Sequence, residues 1–228
     1  MVKAKSLYGA PGFNHNFDTD EVAKTVNPSV AFALHRQDCG TNRMVTSELL
    51  ELYAKGERNF SWVDLQEVNL TGVIFRDVNL AGANLSLSIL RETELSGVNL
   101  VGSTLWRADL RQTSLVEANF SQSIAIRANF SQANLRQALL VGADLRLADL
   151  RRADLRRANL SGADLRYANL QGANLRGADL RKVDLTGAEL SDVDLSEAIL
   201  TGAIIPQVEL NQVIMPTRVR SQLTASLG

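Results

Sequence analysis

The segment from residue 153 to residue 172 reads ADLRRANLSGADLRYANLQG, which is one five-residue pattern written four times. Each pentad holds an alanine, then Asp or Asn, then leucine, and then two residues of mixed type. The same pattern continues without a shift before and after this segment, so leucine fills most positions divisible by five from Leu65 to Leu210. A period of five fits neither an α-helix, with about 3.6 residues per turn, nor a flat strand, with a period of two. An unbroken repeat of this kind predicts a solenoid.

The pentad supplies one large and one small apolar residue. Between Phe60 and Met215, 25 of the 32 positions divisible by five are leucine and four are phenylalanine. Two residues earlier, the 31 positions from Val63 to Val213 hold 17 Ala, nine Val, three Ser and two Thr. Residues two apart on an extended segment point the same way, so both face a core. One pentad cannot bury its leucine alone, whereas a chain that closes after four sides brings four leucines together.

This pattern resembles the pentapeptide repeat family, and the stretch Leu49–Phe60 before it looks like members from cyanobacteria. The resemblance covers about residues 60–216. It implies an all-β solenoid, a right-handed quadrilateral β-helix, with a small helical cap at the N-terminal end. Thirty-two pentads over four sides predict about eight coils.

The chain is therefore expected to divide into four segments: a non-repeat extension of loop and short helices (1–45), a capping helix (46–59), the β-helix (60–216) and a tail (217–228). Apolar residues such as Phe13 and Phe17 predict that the extension packs on the rod or binds a partner. Thr46 or Ser47 is expected to cap a helix from residue 48 to 55 that Gly56 closes, with its apolar residues on the first coil.

Four-sided stacking makes predictions about residues 20 apart. One column of glycines is expected at corners that need positive φ: Gly82, Gly102, Gly142, Gly162 and Gly202. Phe120 and Phe130 should lie on opposite sides of one coil with Ala125 between them. Two oversized residues would then be offset by one undersized residue in the same layer, as dense packing requires.

Composition and termini argue against two classes of protein. The single cysteine, Cys39, rules out an internal disulfide and fits a reducing compartment. The N-terminus lacks the apolar core of a signal peptide, and no apolar run approaches the roughly 20 residues of a membrane span. We therefore expect a cytoplasmic protein without a membrane span.

Catalytic and cofactor motifs are also missing. The sequence has no nucleophile elbow, phosphate-binding loop, dinucleotide fingerprint or paired-cysteine zinc site. Asp144, Asp164 and Asp184 should stack in a column, but Arg146 and Arg166 supply their countercharge, which argues against a cation. We expect no catalytic site, no cofactor and no bound metal.

Charge is banded along the rod although the net charge is only −1. Residues 136–182 hold ten basic groups and five Asp, whereas residues 183–217 hold six acids and no base, and residues 60–99 hold five acids and two Arg. One interpretation is solvation with Asp–Arg pairing two residues apart. The other is a basic girdle for an acidic partner. Nucleic acid is an unlikely partner because Asp alternates with Arg.

The outward positions after each leucine carry the candidate site. Large apolar residues recur on one side, with arginines interleaved: Leu87, Trp106, Ile126, Leu147 and Tyr167, with Arg107, Arg127, Arg146 and Arg166. Exposed Trp, Tyr and Arg are typical of protein interfaces. The leading hypothesis is a non-enzymatic scaffold that presents this side as a flat face to a partner protein. A second copy of the chain, the N-terminal segment or chance could account for the same residues.

The alternative function is implied by the family resemblance, because part of the family protects DNA gyrase by mimicking DNA. A DNA mimic needs a continuous acidic surface, and the middle of this rod is basic. The alternative is therefore ranked below the scaffold.

Overall fold

The computed structural model describes residues 43–205 and 213–214, which form one helix followed by a parallel β-helix. The residue immediately before each leucine position pairs in parallel with the residue 20 positions later, from Asn59↔Asn79 to Asp194↔Ile214. The strands are therefore single-residue bridges, one in the middle of each side. Since four pentads separate paired residues, the predicted four-sided coil is confirmed.

Most corners between Trp62 and Gly202 have the same hydrogen-bonded turn; among the described residues, the corners after Phe60 and Phe75 lack its hydrogen bond. The N–H of the small residue donates to the carbonyl of the preceding leucine, as from Ala83 to Leu80 at 3.1 Å. The residue before that small residue has positive φ at each corner, with values near +60°. The predicted glycine column does occupy this position, for example Gly82 at +67°.

Glycine is not required at these corners, which the sequence analysis did not anticipate. Most corners place another residue type at positive φ, including Leu87, Leu147 and Tyr167, each at +60°. This conformation costs an ordinary residue about 1–2 kcal/mol relative to glycine. Backbone bonds to the next coil hold it, as in Tyr167 N–H to the carbonyl of Thr186 at 3.0 Å.

The core is a column of leucines and small residues along the axis of the rod. From Leu65 to Leu195, the residue at every leucine position of the repeat is buried. In the predicted mixed layer, the rings of Phe120 and Phe130 meet edge to face with centroids 5.8 Å apart, and Ala125 is fully buried. The predicted placement of Phe120, Ala125 and Phe130 in one layer is therefore confirmed, and the matching of their volumes stays a prediction.

A buried hydroxyl lies in that same layer without a hydrogen-bond partner. Ser123 is buried, and its Oγ has no hydrogen-bond partner among the residues that the structure describes. The equivalent hydroxyl one coil earlier is satisfied, because Ser103 Oγ donates to the carbonyl of Leu100 at 2.7 Å. Burying an unpaired polar atom costs about 1–3 kcal/mol.

We expect Ser123→Ala to raise the free energy of unfolding by about 1 kcal/mol, because it removes the unpaired hydroxyl. Alanine is the commonest residue at this position of the pentad, so the change needs no rearrangement. Denaturant unfolding measures the effect. Ser103→Ala is the control and should lower stability or leave it unchanged, since it removes a hydrogen bond. A Ser123→Ala protein less stable than wild type would refute the prediction.

Helix α1 spans Thr46–Ala54 and covers the first coil. Leu49 is buried, Leu50 and Leu52 pack against the core, and the Tyr53 ring meets Phe75 edge to face with centroids 4.9 Å apart. The predicted placement of the apolar residues on the first coil is confirmed. A cap is needed here because the open coil end exposes unpaired strand edges.

The ends of α1 agree with the sequence expectation only in part. The N-cap is Val45 and has no side-chain cap, so the prediction of Thr46 or Ser47 is wrong. Thr46 Oγ1 instead donates to the carbonyl of Asn69 and accepts from its N–H, each at 3.3 Å. At the other end Gly56 has φ +97° and closes the helix as expected.

The chain joins the solenoid just before α1. Arg43 forms a parallel bridge to Asp64, and the buried Met44 donates its N–H to the carbonyl of Asp64 at 2.8 Å. The expectations for residues 1–42, including Phe13 and Phe17, and for the tail 217–228 fall outside the described residues. Within the described ranges, no helix is long and apolar enough to cross a membrane.

Candidate protein-binding ridge

The predicted site residues stack in consecutive coils along one corner of the rod. We call them the ridge: Leu87, Trp106, Arg107, Ile126, Arg127, Arg146, Leu147, Arg166 and Tyr167. Backbone bonds join one coil to the next, from Leu87 N–H to Trp106 O at 2.9 Å and from Leu147 N–H to Arg166 O at 3.1 Å. The ridge is a corner and not the expected flat side, because both positions after leucine form the turn.

The apolar members of the ridge are accessible to a partner. Trp106 is 39% exposed, Leu147 is 46% exposed and Tyr167 is 62% exposed. Leu87 and Ile126 are half-buried. Ile124, 43% exposed, lies on the side leading into this corner and extends the apolar surface.

Side chains at the second corner position lean along the rod onto the next coil. A β-carbon placed on Gly187 would lie 2.5 Å from Cδ1 of Tyr167, so the Tyr167 ring rests against this glycine. Trp62, on another corner, rests on Gly82 in the same way, with 2.4 Å to Cε3. Sequence reasoning missed these two ring positions. The signal was an aromatic residue followed by glycine 20 positions later.

The arginines of the ridge fall into two pairs with different roles. Arg146 and Arg166 are each bound to an aspartate two residues earlier, Asp144 and Asp164, at 2.7 Å. They also reach the next aspartate in the column, with Arg146 Nε 3.7 Å from a carboxylate oxygen of Asp164. Their charge is therefore compensated within the rod.

The other two arginines keep their charge available. Arg107 lies over the ring of Trp106, with Cζ 5.1 Å from the ring centroid. Arg127 forms no ion pair with any residue that the structure describes. The ridge thus offers two guanidinium groups beside its aromatic residues.

Asp–Arg pairing two residues apart recurs along the rod from Asp109 to Arg181. Six aspartates each accept from the arginine two residues later: Asp109, Asp144, Asp149, Asp154, Asp164 and Asp179. Each carboxylate also accepts from the backbone N–H of the same arginine, as in Asp149 and Arg151 at 3.1 Å. The predicted pairing is confirmed, and it neutralises much of the basic band.

These hydrogen bonds lower the carboxyl pKa values of Asp109, Asp149, Asp154, Asp164 and Asp179. The side chain of Arg181, helped by its backbone N–H, holds the pKa of Asp179 below its ordinary value. Partial burial is the largest influence on Asp149 and raises its pKa, but the bonds from Arg151 outweigh it, so the pKa of Asp149 is also lowered.

We expect the Asp179–Arg181 pair to stabilise the fold at neutral pH and to lose this effect in acid. Because the folded pKa of Asp179 is depressed, its contribution is present above the unfolded pKa of about 4 and vanishes as pH falls through the folded pKa. Arg181→Gln should therefore lower stability at pH 7 and have little effect near pH 2. Denaturant unfolding at both pH values is the measurement. An equal loss of stability at both pH values would contradict this prediction.

Metal ligands do not cluster in the part of the chain that the structure describes. No three His, Cys, Asp or Glu side chains come close enough there to hold a metal ion. Cys39 lies outside the described residues. The chemistry available to the described surface is thus that of exposed aromatic, aliphatic and charged groups, which suits binding.

Comparisons with known proteins agree with this architecture. The profile of pentapeptide repeats matches residues 59–97, 93–132, 128–166 and 163–202. Similar solved structures include HetL from the cyanobacterium Nostoc, a pentapeptide repeat protein involved in heterocyst differentiation regulation. It is 31% identical over 77% of this chain and 98% of that chain, with a TM-score of 0.42.

Two further structures are similar over comparable lengths. Rfr23 from the cyanobacterium Cyanothece is 24% identical over 71% of this chain and 99% of that chain, with a TM-score of 0.28. Full-length QnrB1, a plasmid-mediated fluoroquinolone resistance protein, is 23% identical over 75% of this chain and 85% of that chain, with a TM-score of 0.35. No curated protein matches the sequence. Since the repeat profile covers more than half of the residues, the chain belongs to the pentapeptide repeat family, whose fold is a right-handed quadrilateral β-helix.

Proposed function

We propose that this protein is a non-enzymatic interaction scaffold, a cytoplasmic rod of about eight coils that presents the ridge to a partner protein. The segments 1–45, 46–59, 60–216 and 217–228 are its proposed extension, cap, rod and tail. The observation that supports the proposal is the stack of exposed Trp106, Leu147 and Tyr167 on one corner.

The turns do not need these bulky residues. Ten corners have glycine at positive φ, which is the least strained choice. Leu147 and Tyr167 occupy the same conformation at a cost of about 1–2 kcal/mol each. An apolar side chain kept exposed at such a corner is better explained by binding than by folding.

The rod also holds the ridge in place before binding. Backbone hydrogen bonds join each corner to the next coil, and the Tyr167 ring packs against Gly187. A rigid aromatic surface loses little conformational entropy when a partner binds. Exposed aromatic residues beside the arginines Arg107 and Arg127 have the composition of an interface hot spot.

The described surface gives less support to the alternative, a DNA-mimicking protein that interacts with gyrase. A mimic would display carboxylates in the spacing of phosphates. Here six aspartates each accept a hydrogen bond from the arginine two residues later. The net surface between residues 136 and 182 is basic.

Site-specific photo-crosslinking in cells tests the proposal. A photoreactive phenylalanine analogue at position 147 should capture a defined protein. The same analogue at position 62, an exposed corner residue off the ridge, is the matched control. The proposal predicts a crosslinked protein at position 147 that is absent at position 62. Equal yields of the same products at both positions would contradict it, and capture of gyrase would instead support the alternative.

A further inference from the structure

A second surface of the rod combines opposite charges in a regular order. One side carries Asn134, Asp154, Asn174 and Asp194 in successive coils. The two corners that flank it carry, in the same order along the rod, a base, a glycine and an acid: Arg152, Gly172 and Asp192 on one corner, and Arg157, Gly177 and Glu197 on the other. We call this side and its two corners the charged face.

The basic end of the charged face is formed by two arginines on its two corners. Arg152 and Arg157 are exposed, and neither forms an ion pair with the described residues. Both arginine side chains extend along the rod toward the glycine of the next coil. A β-carbon placed on Gly172 would lie 3.4 Å from Cγ of Arg152, and one on Gly177 would lie 3.6 Å from Cγ of Arg157.

The acidic end lies two coils further along the same corners. Asp192 is exposed and has no ion pair within the described ranges. Glu197 is exposed too and pairs with Arg176 at 2.6 Å. On the side between them, Asp194 is half-buried and accepts from the backbone N–H of Ser196 at 2.8 Å.

This order is self-complementary. In a pair of rods related by a two-fold axis, each residue meets the partner's residue at an equal distance on the other side of the axis. An axis that crosses the rod at the coil of Gly172 and Gly177 places Arg152 opposite the partner's Asp192. The same axis places Arg157 opposite the partner's Glu197. Two copies therefore form four cross-pairs of opposite charge.

We propose that the charged face binds a second copy of this chain, side by side and antiparallel, about this axis. The parallel arrangement is disfavoured by the same residues. A two-fold axis along the rod would bring Arg152 against the partner's Arg157, and Asp192 against the partner's Glu197. Like charges in contact across an interface are strongly unfavourable.

At the level of the axis, Gly172 and Gly177 add no side chain of their own, and the stems of Arg152 and Arg157 lie over them. Arg176 lies at this level, meets its own mate and pairs with Glu197. Each Glu197 therefore lies between Arg176 of its own chain and Arg157 of the second copy. Asp154, opposite the partner's Asp194, is compensated by Arg156. Arg151, on the same corner as Arg152, is compensated by Asp149 of the neighbouring side. The remaining charges of this face between residues 152 and 197 balance: four bases (Arg152, Arg156, Arg157, Arg176) and four acids (Asp154, Asp192, Asp194, Glu197).

Sedimentation velocity with charge-swap variants tests the pairing. Wild type should dimerise at salt on the order of 0.01 M, where the Debye length is about 30 Å, and dissociate near 1 M, where it is about 3 Å. The variant Arg152→Glu/Arg157→Glu and the variant Asp192→Arg/Glu197→Arg should each be monomeric at low salt. An equimolar mixture of the two should form a heterodimer, since every cross-pair is then again of opposite sign.

The substitutions respect the backbone, because Glu92 and Glu117 already hold glutamate at equivalent corners with positive φ. Circular dichroism confirms that each variant is folded. The matched control is Gln122→Glu/Lys182→Glu, two residues of similar φ on a corner that belongs neither to this face nor to the ridge, and it should dimerise like wild type. A wild type that is monomeric at low salt, a variant that still forms homodimers, or a mixture without heterodimer would each overturn the proposal. So would loss of the dimer in the control.

Discussion

Replacing Ala125 by leucine is expected to lower the free energy of unfolding by about 1–3 kcal/mol, because extra methyl groups overpack a filled core. Ala125 is fully buried in the coil where the rings of Phe120 and Phe130 meet at 5.8 Å. The rings already occupy the space that four leucines fill in other coils. Denaturant unfolding of Ala125→Leu against wild type measures the loss.

Removing both rings should rescue the same substitution. The triple variant Phe120→Leu/Ala125→Leu/Phe130→Leu gives this layer the four leucines of the next coil: Leu140, Leu145, Leu150 and Leu155. Its stability should therefore exceed that of Ala125→Leu alone. If the triple variant is less stable than the single one, volume matching does not explain this layer.

The second large effect is expected on binding. Trp106→Glu/Tyr167→Glu should weaken the complex with the protein crosslinked at position 147 by at least about thirtyfold, or ~2 kcal/mol, as for hot-spot residues. Stability should change little, since both residues are exposed and neither belongs to the core. Titration calorimetry with the purified partner measures the affinity, and denaturant unfolding measures the stability.

Trp62→Glu provides the control for this experiment. Trp62 is 78% exposed, has positive φ and rests on a glycine of the next coil, as Tyr167 does, but it lies on another corner. Its replacement should leave the affinity unchanged. If Trp62→Glu weakens the complex as much as the ridge variant does, the binding surface is not the ridge.

The core could be predicted from the sequence because it depends on a simple rule. The leucine and the small apolar residue of each pentad must both face the core. A chain that turns every five residues meets this requirement in every pentad. The bridges between residues 20 apart and the layer of Phe120, Ala125 and Phe130 follow from that rule alone.

The surface could be predicted only in part, because the direction of a side chain depends on backbone angles that the pattern does not show. Glycine marks a corner with positive φ, but Leu147 and Tyr167 adopt the same angle without any such signal. The ridge was therefore expected to be a flat side. Thr46 was expected to cap α1, but its hydroxyl is bound to Asn69, a contact between distant residues. Such contacts are set by the tertiary structure.

Hydroxyl-radical footprinting of the protein in its cellular complex tests most directly whether the ridge is an interaction surface. Oxidation of Trp106, Leu147 and Tyr167, read by mass spectrometry, is compared between the complex and the purified chain, with Trp62 as the internal reference. We predict that oxidation of the three ridge residues falls several-fold in the complex while that of Trp62 is unchanged. Equal oxidation of the ridge in both states would contradict the account.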